Sequence, residues 1–349
     1  MDPQRIWNPP NPYLTEHREW IGEPPEVALE VYEDHAQTIL SENDSPDLGF
    51  RYSVNPYRGC FHACVYCYAR PTHEYFGLGA GTDFERKIFV KPNAPRLLEA
   101  AFHKPSWAGE RIMFSGVTDC YQPLEAAWKL TRGCLQVCTA FRNPASIITK
   151  SLLIRRDVDV LAKLHREARV SVALSIPFSD ERIARLMEPG APTIRKRFET
   201  MRVLAEAGIP VGIGVAPIIP GLNDADIPRL LKEAKRCGAS YAFHTLLRLP
   251  GSVKAAFFHR IQERLPLRAA KIEHRIRETR EGRLYDSRFG RRHAGTGVYW
   301  EAIEQHWKVW TDRLGFHQDT EEKPRAPTFL RPSAQGQQEF VWAAIGDPS

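Results

Sequence analysis

Short runs of apolar and β-branched residues alternate with amphipathic segments through the middle of the chain. The amphipathic segments are about 12–16 residues long, and their apolar positions recur every three or four residues, as in helices that pack on one face. Strands that alternate with such helices indicate βα units and a parallel sheet. The predicted strands are 111–117, 145–150, 170–176, 209–219 and 241–249, and the predicted helices are 122–139, 156–167, 180–187, 194–206, 224–237 and 252–265.

About six such units fit between residues 54 and 265. Six units are too many for a small open sheet and too few for a closed eight-fold barrel. The predicted fold class is therefore α/β, a partial (β/α)6 TIM barrel whose chemistry lies at the carboxyl ends of the strands. An arm over 1–50, with one short helix near 30–41, precedes the barrel over 51–265. A basic, helical extension and a tail over 266–349 follow it, with a tryptophan-bearing helix at 298–314.

Composition narrows the class of protein. Of 349 residues, 43% are hydrophobic and 26% are charged, which is ordinary for a globular protein and excludes a disordered chain, a collagen and a small disulfide scaffold. No stretch approaches about 18 uninterrupted apolar residues, so we expect no membrane-spanning helix and no membrane partner. The N-terminal residues lack a positive patch followed by an apolar core, so we expect a cytoplasmic location. None of these features indicates an oligomeric state.

Positive charge is concentrated towards the C-terminal end of the chain. The net charge is +6, and the segment 268–297 holds nine Lys or Arg residues against four acidic ones. One interpretation is a solvated helix face followed by a basic loop. The other is a contact surface for nucleic acid, since clustered cations bind its phosphate backbone.

Three of the seven cysteines fall within eight residues, at Cys60, Cys64 and Cys67. An odd number of cysteines in a chain without an export signal argues against a disulfide framework. The C-x3-C-x2-C spacing lets three thiolates surround one compact centre, as in an iron–sulfur cube whose fourth iron has no local cysteine and stays open to another ligand. The alternatives are a structural zinc site completed by His62 or His73, or unrelated buried cysteines.

This motif, with Tyr66 before the third cysteine, resembles that of the radical S-adenosylmethionine superfamily. The segments NPYRGCFHACVYCYARPTHEY, SGVTDCYQPLE, ITKS, MEPGAP, GVAPIIPGLND and YDSRFG are similar to the branch related to spore photoproduct lyase, within it to a bacterial group labelled DNA-repair-photolyase-like. The resemblance covers about residues 50–315. It implies a [4Fe–4S] cluster on the three cysteines, whose open iron chelates S-adenosylmethionine. One electron, from a reductant such as flavodoxin or ferredoxin, then cleaves this cofactor to a 5′-deoxyadenosyl radical that abstracts a hydrogen atom.

The resemblance also implies cofactor-binding residues around the cluster, namely Tyr66, Tyr68, Ser115, Thr118, Asp119, Lys150, Ser175 and Arg197. Lys150 would meet the cofactor carboxylate, Ser175 its ribose, and the 115–119 segment its ammonium group. Each residue also has a simpler interpretation. Tyr68 would pack under the loop, Asp119 would cap a helix, and Ser175 would be a small strand residue. Lys150 would be exposed to solvent, and Arg197, which we otherwise pair with Glu188, would lie on a helix surface.

Cys120 is the candidate for a catalytic hydrogen-atom donor, and the alternative is a small buried residue. The lyase pattern places its donor cysteine where this chain has Gly116, so the sequence does not point to reversal of a thymine photoproduct. Cys134 and Cys138 lie one helical turn apart and would join Cys120 only if a second site existed. The substrate that we favour is nucleic acid, in particular damaged DNA. The alternatives are radical modification of RNA, protein or a small metabolite, and a non-catalytic zinc or iron–sulfur protein that binds nucleic acid or senses redox state.

Overall fold

Six parallel strands form the framework of the molecule. The computed structural model describes residues 9–14, 28–316 and 326–332. Within them the strands are β1 (Glu30–Glu33), β2 (Leu40–Glu42), β3 (Tyr52–Val54), β4 (Tyr57–Arg58), β5 (Lys87–Val90), β6 (Ile112–Phe114), β7 (Ala145–Thr149), β8 (Val170–Ser175), β9 (Val211–Ile218) and β10 (Tyr241–Leu246). The α-helices are α1 (Thr82–Arg86), α2 (Ala94–His103), α3 (Glu125–Trp128), α4 (Leu130–Ala140), α5 (Val158–Glu167), α6 (Glu181–Met187), α7 (Ile194–Glu206), α8 (Ile227–Arg236), α9 (Val253–Arg264), α10 (Pro266–Glu278) and α11 (Gly297–Leu314). Short 3-10 helices span Arg70–Phe76, Leu152–Asp157 and Asp224–Asp226.

The main sheet has seven strands in the order β10-β9-β8-β7-β6-β3-β2. β3 and β6 to β10 run parallel to their neighbours, and β2 pairs antiparallel with β3 at one edge. Helices lie between successive parallel strands, as a parallel connection requires. The predicted partial (β/α)6 barrel is therefore confirmed, and the carboxyl ends of its strands meet at one rim.

The arm contains strands where a helix was predicted. Over 30–41 the chain forms β1 and then enters β2. β1 pairs in parallel with β5, which also pairs with β4, so these three strands make a small second sheet. The ring of Tyr32 stacks on that of Phe89 with 5.3 Å between centroids. Pairing with an available strand edge therefore overrides the weak local helical pattern.

The helix predicted over 122–139 is two helices, α3 and α4. The break is at Lys129, which adopts a left-handed conformation with φ of 53°. The carboxylate of Glu125 accepts hydrogen bonds from the backbone N–H groups of Thr131 at 2.9 Å and Arg132 at 3.2 Å. Because the first N–H groups of a helix have no partner within it, this carboxylate stabilises the N-terminus of a second helix, α4.

The C-terminal extension shares the core of the barrel. Ile272 and Ile276 of α10, and Trp300, Ile303 and Trp307 of α11, are buried in the same apolar cluster as the barrel strands. The predicted tryptophan helix thus exists as α11, one residue longer than expected. Most of the predicted polar tail lies outside the described residues. None of the helices within the described ranges is long and apolar enough to cross a membrane.

Candidate active site

The three clustered cysteines lie on the loop between β4 and the 3-10 helix Arg70–Phe76. All three are free thiols; Cys60 and Cys64 are buried and Cys67 is half-buried. Burial and the neighbouring thiols raise the pKa of Cys64 and of Cys67, whereas the ammonium group of Lys150 acts to lower both. The loop therefore presents its thiols to one another beside a cation that favours their anionic form.

A buried arginine fixes this cysteine loop. The Arg70 guanidinium donates to the carbonyl of Cys64 from Nε at 3.1 Å and from Nη2 at 2.8 Å. It also donates to the carbonyls of Ala80 and Gly81 and forms a 2.5 Å ion pair with Glu85. Because the charge is paired and its donors are used, Arg70 can be fully buried and can hold the loop in one conformation.

Two side chains that follow β6 hold the loop from the other side. The Thr118 hydroxyl donates to the carbonyl of Gly59 at 2.6 Å. The Gln122 amide donates to the same carbonyl at 3.2 Å and accepts from the N–H of Phe61 at 3.1 Å. Thr118, predicted to bind the cofactor, is therefore seen here as a residue that positions the cysteine loop. Gln122 was missed in the sequence, where it looked like the start of a helix.

Asp119 joins three elements of the rim. Its Oδ1 accepts from the Thr149 hydroxyl at 2.7 Å and from the N–H of Tyr121 at 2.9 Å. Its Oδ2 accepts from the N–H of Lys150 at 2.8 Å and lies 3.2 Å from Nδ1 of His62. Burial opposes ionisation, but His62 and these donors lower the pKa of Asp119 to about 2. The helix-cap interpretation is therefore wrong, since α3 begins only at Glu125.

His62 is the cationic partner of that carboxylate. The residue is buried between Cys60 and Asp119. Burial acts against protonation, but Asp119 and Cys60 together raise the pKa of His62 to about 10. Sequence reasoning considered His62 only as a zinc ligand, because nothing local to it shows that Asp119 lies opposite.

Lys150, at the end of β7, is the centre of a buried polar network. Its Nζ donates to the Ser175 hydroxyl at 2.6 Å and lies 3.6 Å from Oε1 of Glu188. The same Nζ lies 5.7 Å from the centroid of the Tyr66 ring, and the Tyr66 hydroxyl donates to Glu188. With 12% of its side chain exposed, Lys150 is not the solvent-exposed lysine of the simpler interpretation.

Arg197 completes this network from α7. Its Nη2 lies 2.6 Å from Oε2 of Glu188, and its Nη1 donates to the carbonyl of Ser175 at 3.0 Å. The side chain is 1% exposed, so the surface interpretation is wrong. Burial opposes ionisation of Glu188, but Arg197 and Lys150 lower the pKa of that carboxyl. Two cations face one carboxylate, which leaves positive charge available beside the cysteines.

Ser115 and Tyr68 lie on the β6 side of the rim. Ser115 has a φ of 77°, a left-handed conformation that is rare for a residue other than glycine. Its hydroxyl accepts from the N–H of Cys120 at 3.2 Å. The Tyr68 hydroxyl donates to the carbonyl of Gly116, and the residue as a whole remains 43% exposed. Tyr68 thus forms part of the surface at the mouth of the barrel and is not packed under the cysteine loop.

Cys120 is enclosed in the core. It has no exposed surface, and its carbonyl accepts from the Thr131 hydroxyl at 2.6 Å. Cys134 and Cys138, on α4, are equally buried in the same apolar cluster. The structure therefore supports packing for all three residues, and the role of hydrogen-atom donor predicted for Cys120 has no support.

The side chains around the cysteine loop limit the kind of metal group that it could hold. Within the described ranges, no three His, Cys, Asp or Glu side chains converge tightly enough to chelate a single ion. The loop fits a cluster by its three free thiols, of which two are buried and one is half-buried, by its fixed backbone and by the adjacent Lys150 and Arg70 charges. Thiolates are the usual protein ligands of iron–sulfur clusters.

Comparison with known proteins identifies the family. Residues 54–234 match the model of the Radical SAM superfamily. An uncharacterised protein of Mycobacterium tuberculosis is 38% identical over 212 residues, which are 60% of this chain and 62% of that protein. An uncharacterised protein of Methanocaldococcus jannaschii is 32% identical over 240 residues, covering 68% of this chain and 85% of its own length.

Solved structures share the fold. A spore photoproduct lyase variant has a TM-score of 0.61 at 18% identity, with 87% of this chain and 88% of the lyase covered. The lyase complexed with dinucleoside spore photoproduct has a TM-score of 0.59 at 15% identity, with 82% and 80% covered. Radical SAM proteins use a [4Fe–4S] cluster and S-adenosylmethionine, and the three cysteines of this chain lie within the matched region. The chain therefore belongs to the radical S-adenosylmethionine superfamily.

Proposed function

We propose that this protein cleaves S-adenosylmethionine reductively and uses the product to abstract a hydrogen atom from a nucleic acid. The observation that carries the first part is Asp119, which connects the cysteine loop to the ends of β6 and β7 through His62, Thr149 and the N–H of Lys150. One carboxylate thereby fixes the proposed cluster site and cofactor site relative to each other. Fixed placement of reacting groups is a main source of enzymatic rate enhancement.

Each group of residues has a defined task in this proposal. Cys60, Cys64 and Cys67 hold the cluster, which, when bound, supplies the electron that splits the cofactor into methionine and a 5′-deoxyadenosyl radical. Lys150 offers its Nζ to the cofactor carboxylate, since Glu188 is already neutralised by Arg197 at 2.6 Å. The ring of Tyr66 and the Ser175 hydroxyl fix the position of that Nζ. The electron comes from a flavodoxin-type or ferredoxin-type reductant.

The basic segment 268–297 offers little evidence for a nucleic-acid substrate. Most of its cations have acidic partners within the molecule: Arg275 with Glu278, Arg277 with Glu273, Arg288 with Asp286, Arg291 with Glu281 and Arg292 with Asp47. Arg280 is buried against backbone carbonyls. The solvated-face interpretation therefore describes α10 better than a nucleic-acid surface does.

Support for a nucleic-acid substrate comes instead from the mouth of the barrel and from the lyase fold. In one of the similar structures, spore photoproduct lyase is complexed with a dinucleoside spore photoproduct. In this chain the exposed ring of Tyr68 lies at the mouth, where an unstacked base would pack on it. Position 116 is glycine and Cys120 is buried, so we propose hydrogen-atom abstraction without a thiol donor at either position.

The test is an anaerobic assay of the protein reconstituted with iron and sulfide. Dithionite and S-adenosylmethionine are added, and 5′-deoxyadenosine is quantified with and without single-stranded DNA, duplex DNA and RNA. We expect 5′-deoxyadenosine from the wild type, more of it with one nucleic acid, and none from Cys64→Ala. A matched Cys237→Ala variant, altered at a distant buried cysteine, should behave like the wild type. A colourless zinc protein that forms no 5′-deoxyadenosine would support the non-catalytic alternative.

A further inference from the structure

One arginine at the mouth of the barrel has no anionic partner among the residues that the structure describes. Arg248 follows β10, the last parallel strand. Two backbone hydrogen bonds fix the residues just before it. The N–H of Leu246 donates to the carbonyl of His293 at 2.9 Å, and the N–H of Leu247 donates to the carbonyl of Ile218 at 2.9 Å. Within the part of the chain that the structure describes, its guanidinium makes no hydrogen bond or ion pair, and its Nε is buried. A buried donor without a partner is costly, so the site lacks an acceptor.

Arg248 differs in this respect from four other arginines, whose guanidinium groups have hydrogen-bond or ion-pair partners. Arg70 and Arg197 each face a buried carboxylate. Arg280 donates to the carbonyls of Leu247 and Ala294, each at 3.1 Å. Arg292 forms a 2.7 Å ion pair with Asp47.

The surroundings of Arg248 favour an anion. Arg248 is close enough to Arg280 and His293 for its charge to act on both. Burial and the charges of Arg248 and Arg292 lower the pKa of His293 to about 4, so that imidazole is neutral and its buried Nε2 has no hydrogen-bond partner among the described residues. The Nε of Arg248 and the Nε2 of His293 thus both lack a hydrogen-bond partner within the described ranges.

Aromatic rings identify which kind of anion fits. The Cζ of Arg248 lies 4.8 Å from the centroid of the ring of Tyr68, the residue that directly follows the third cysteine in the sequence. Phe289, on the same loop as His293, is 60% exposed, and the Cζ of Arg292 lies 4.9 Å from its ring centroid. Guanidinium groups beside exposed rings are the pattern that binds a phosphate and stacks the adjoining base. A carboxylate alone would pair with the guanidinium but would make no contact with the aromatic rings.

We infer that Arg248, with His293, forms a subsite for a backbone phosphate of a single-stranded or extruded nucleotide whose base packs on Tyr68. This inference rests on the proposed function for the placement of the reacting base. It assigns the phosphate contact to the end of β10 and not to the basic segment 268–297.

The test uses the reconstituted protein and a fluorescein-labelled ten-nucleotide oligothymidylate, with binding followed by fluorescence anisotropy over a range of salt concentrations. Arg248→Gln should weaken binding about tenfold and reduce the slope of log K against log salt by about 0.7, the loss of one single-strand phosphate contact. Arg248→Lys should restore most of the slope. Arg268→Gln, which removes the same charge from an exposed position on α10, should leave both values unchanged.

Iron content and thermal midpoint are measured for every variant, so that a misfolded protein is recognised. If Arg248→Gln and Arg268→Gln reduce binding equally, the effect is one of net charge and the subsite is wrong. If a labelled polyglutamate peptide binds through Arg248 and the oligonucleotide does not bind, the ligand is a carboxylate and the inference is overturned. Failure of the proposed function appears separately, as absence of 5′-deoxyadenosine from the wild type, because oligonucleotide binding needs no turnover.

Discussion

The carboxylate of Asp119 accepts a hydrogen bond from the backbone N–H of Lys150 at 2.8 Å, so a residue five positions beyond β6 fixes the residue that follows β7. Its other contacts reach Thr149 and His62, which belongs to the cysteine loop. The position of Lys150 near the thiols therefore depends on a side chain from the loop that follows the neighbouring strand.

Replacement of that carboxylate should destabilise the site. Asp119→Asn leaves the buried His62 without a counter-charge and weakens three hydrogen bonds, so we expect a loss of about 2–3 kcal/mol in the free energy of unfolding at pH 7. Urea unfolding measures this loss, and reconstitution should give less iron per chain. Asp159→Asn, which breaks an exposed pair with Arg132, should cost under about 1 kcal/mol. Equal costs for the two variants would contradict the role of Asp119.

The same carboxylate predicts a dependence of stability on pH. The pKa of Asp119 is about 2 in the folded protein, below its ordinary value of 3.8. A lowered pKa stabilises the fold at pH values above the ordinary pKa, and this contribution, about 2 kcal/mol, is lost as the pH falls from 4 towards 2. Unfolding free energies of the wild type and Asp119→Asn should therefore converge over this range. A constant difference between them from pH 6 to pH 2 would show that ionisation of Asp119 does not stabilise the fold.

Thr118 should control iron loading through the backbone of the cysteine loop. Thr118→Val keeps the shape of the side chain and removes the 2.6 Å hydrogen bond to the carbonyl of Gly59. We expect a stability loss of about 1–2 kcal/mol and a lower iron content after reconstitution. Thr131→Val is the matched control, since it removes a buried 2.6 Å hydrogen bond to the carbonyl of Cys120. It should cost similar stability with no change in iron content; loss of iron in both variants would mean a general folding effect.

Glu188 and Arg197 should be strongly coupled. Glu188→Gln leaves Arg197 buried with an unpaired charge, and we expect a loss of about 3–5 kcal/mol. The double variant Glu188→Gln, Arg197→Met should recover part of this loss, which a double-mutant cycle by urea unfolding quantifies. The exposed pair of Arg195 and Glu199, 2.7 Å apart on the same helix, supplies the comparison cycle and should give under about 1 kcal/mol. Additive losses at Glu188 and Arg197 would refute the coupling.

Cys120 should be dispensable for cofactor cleavage. Because its side chain is enclosed in the core, Cys120→Ala is expected to lower stability by about 1–2 kcal/mol through the small cavity it leaves. The yield of 5′-deoxyadenosine per iron should remain that of the wild type. If a product radical accumulated in Cys120→Ala but not in the wild type, Cys120 would be the hydrogen-atom donor after all.

The sequence predicts this site where each residue carries its own local signal. Cys60, Cys64 and Cys67 are marked by spacing, and Asp119 and Lys150 are marked because they follow apolar strand runs. Arg248 carries the same signal at the end of 241–249, whereas the charge count points to the segment 268–297 instead.

Contacts between distant segments were not accessible in the same way. Tyr66 and Glu188 are 122 residues apart, and their hydrogen bond depends on the packing of the segment after α6 against the cysteine loop. The pairing of β1 with β5 likewise replaces a helix by a strand through a partner more than fifty residues away. The neutralisation of the basic segment by partners such as Asp47 is also tertiary, so charge counts alone overestimated its free charge.

The most direct test of the central claim is the state of the metal on the cysteine loop. Iron and sulfide are quantified after anaerobic reconstitution, and the electron paramagnetic resonance spectrum of the reduced protein is recorded before and after addition of S-adenosylmethionine. The account predicts about four irons per chain, a spectrum that changes when the cofactor is added, and loss of both in Cys64→Ala. A full cluster whose spectrum does not respond to S-adenosylmethionine, or a protein that takes up zinc in preference to iron, would contradict it.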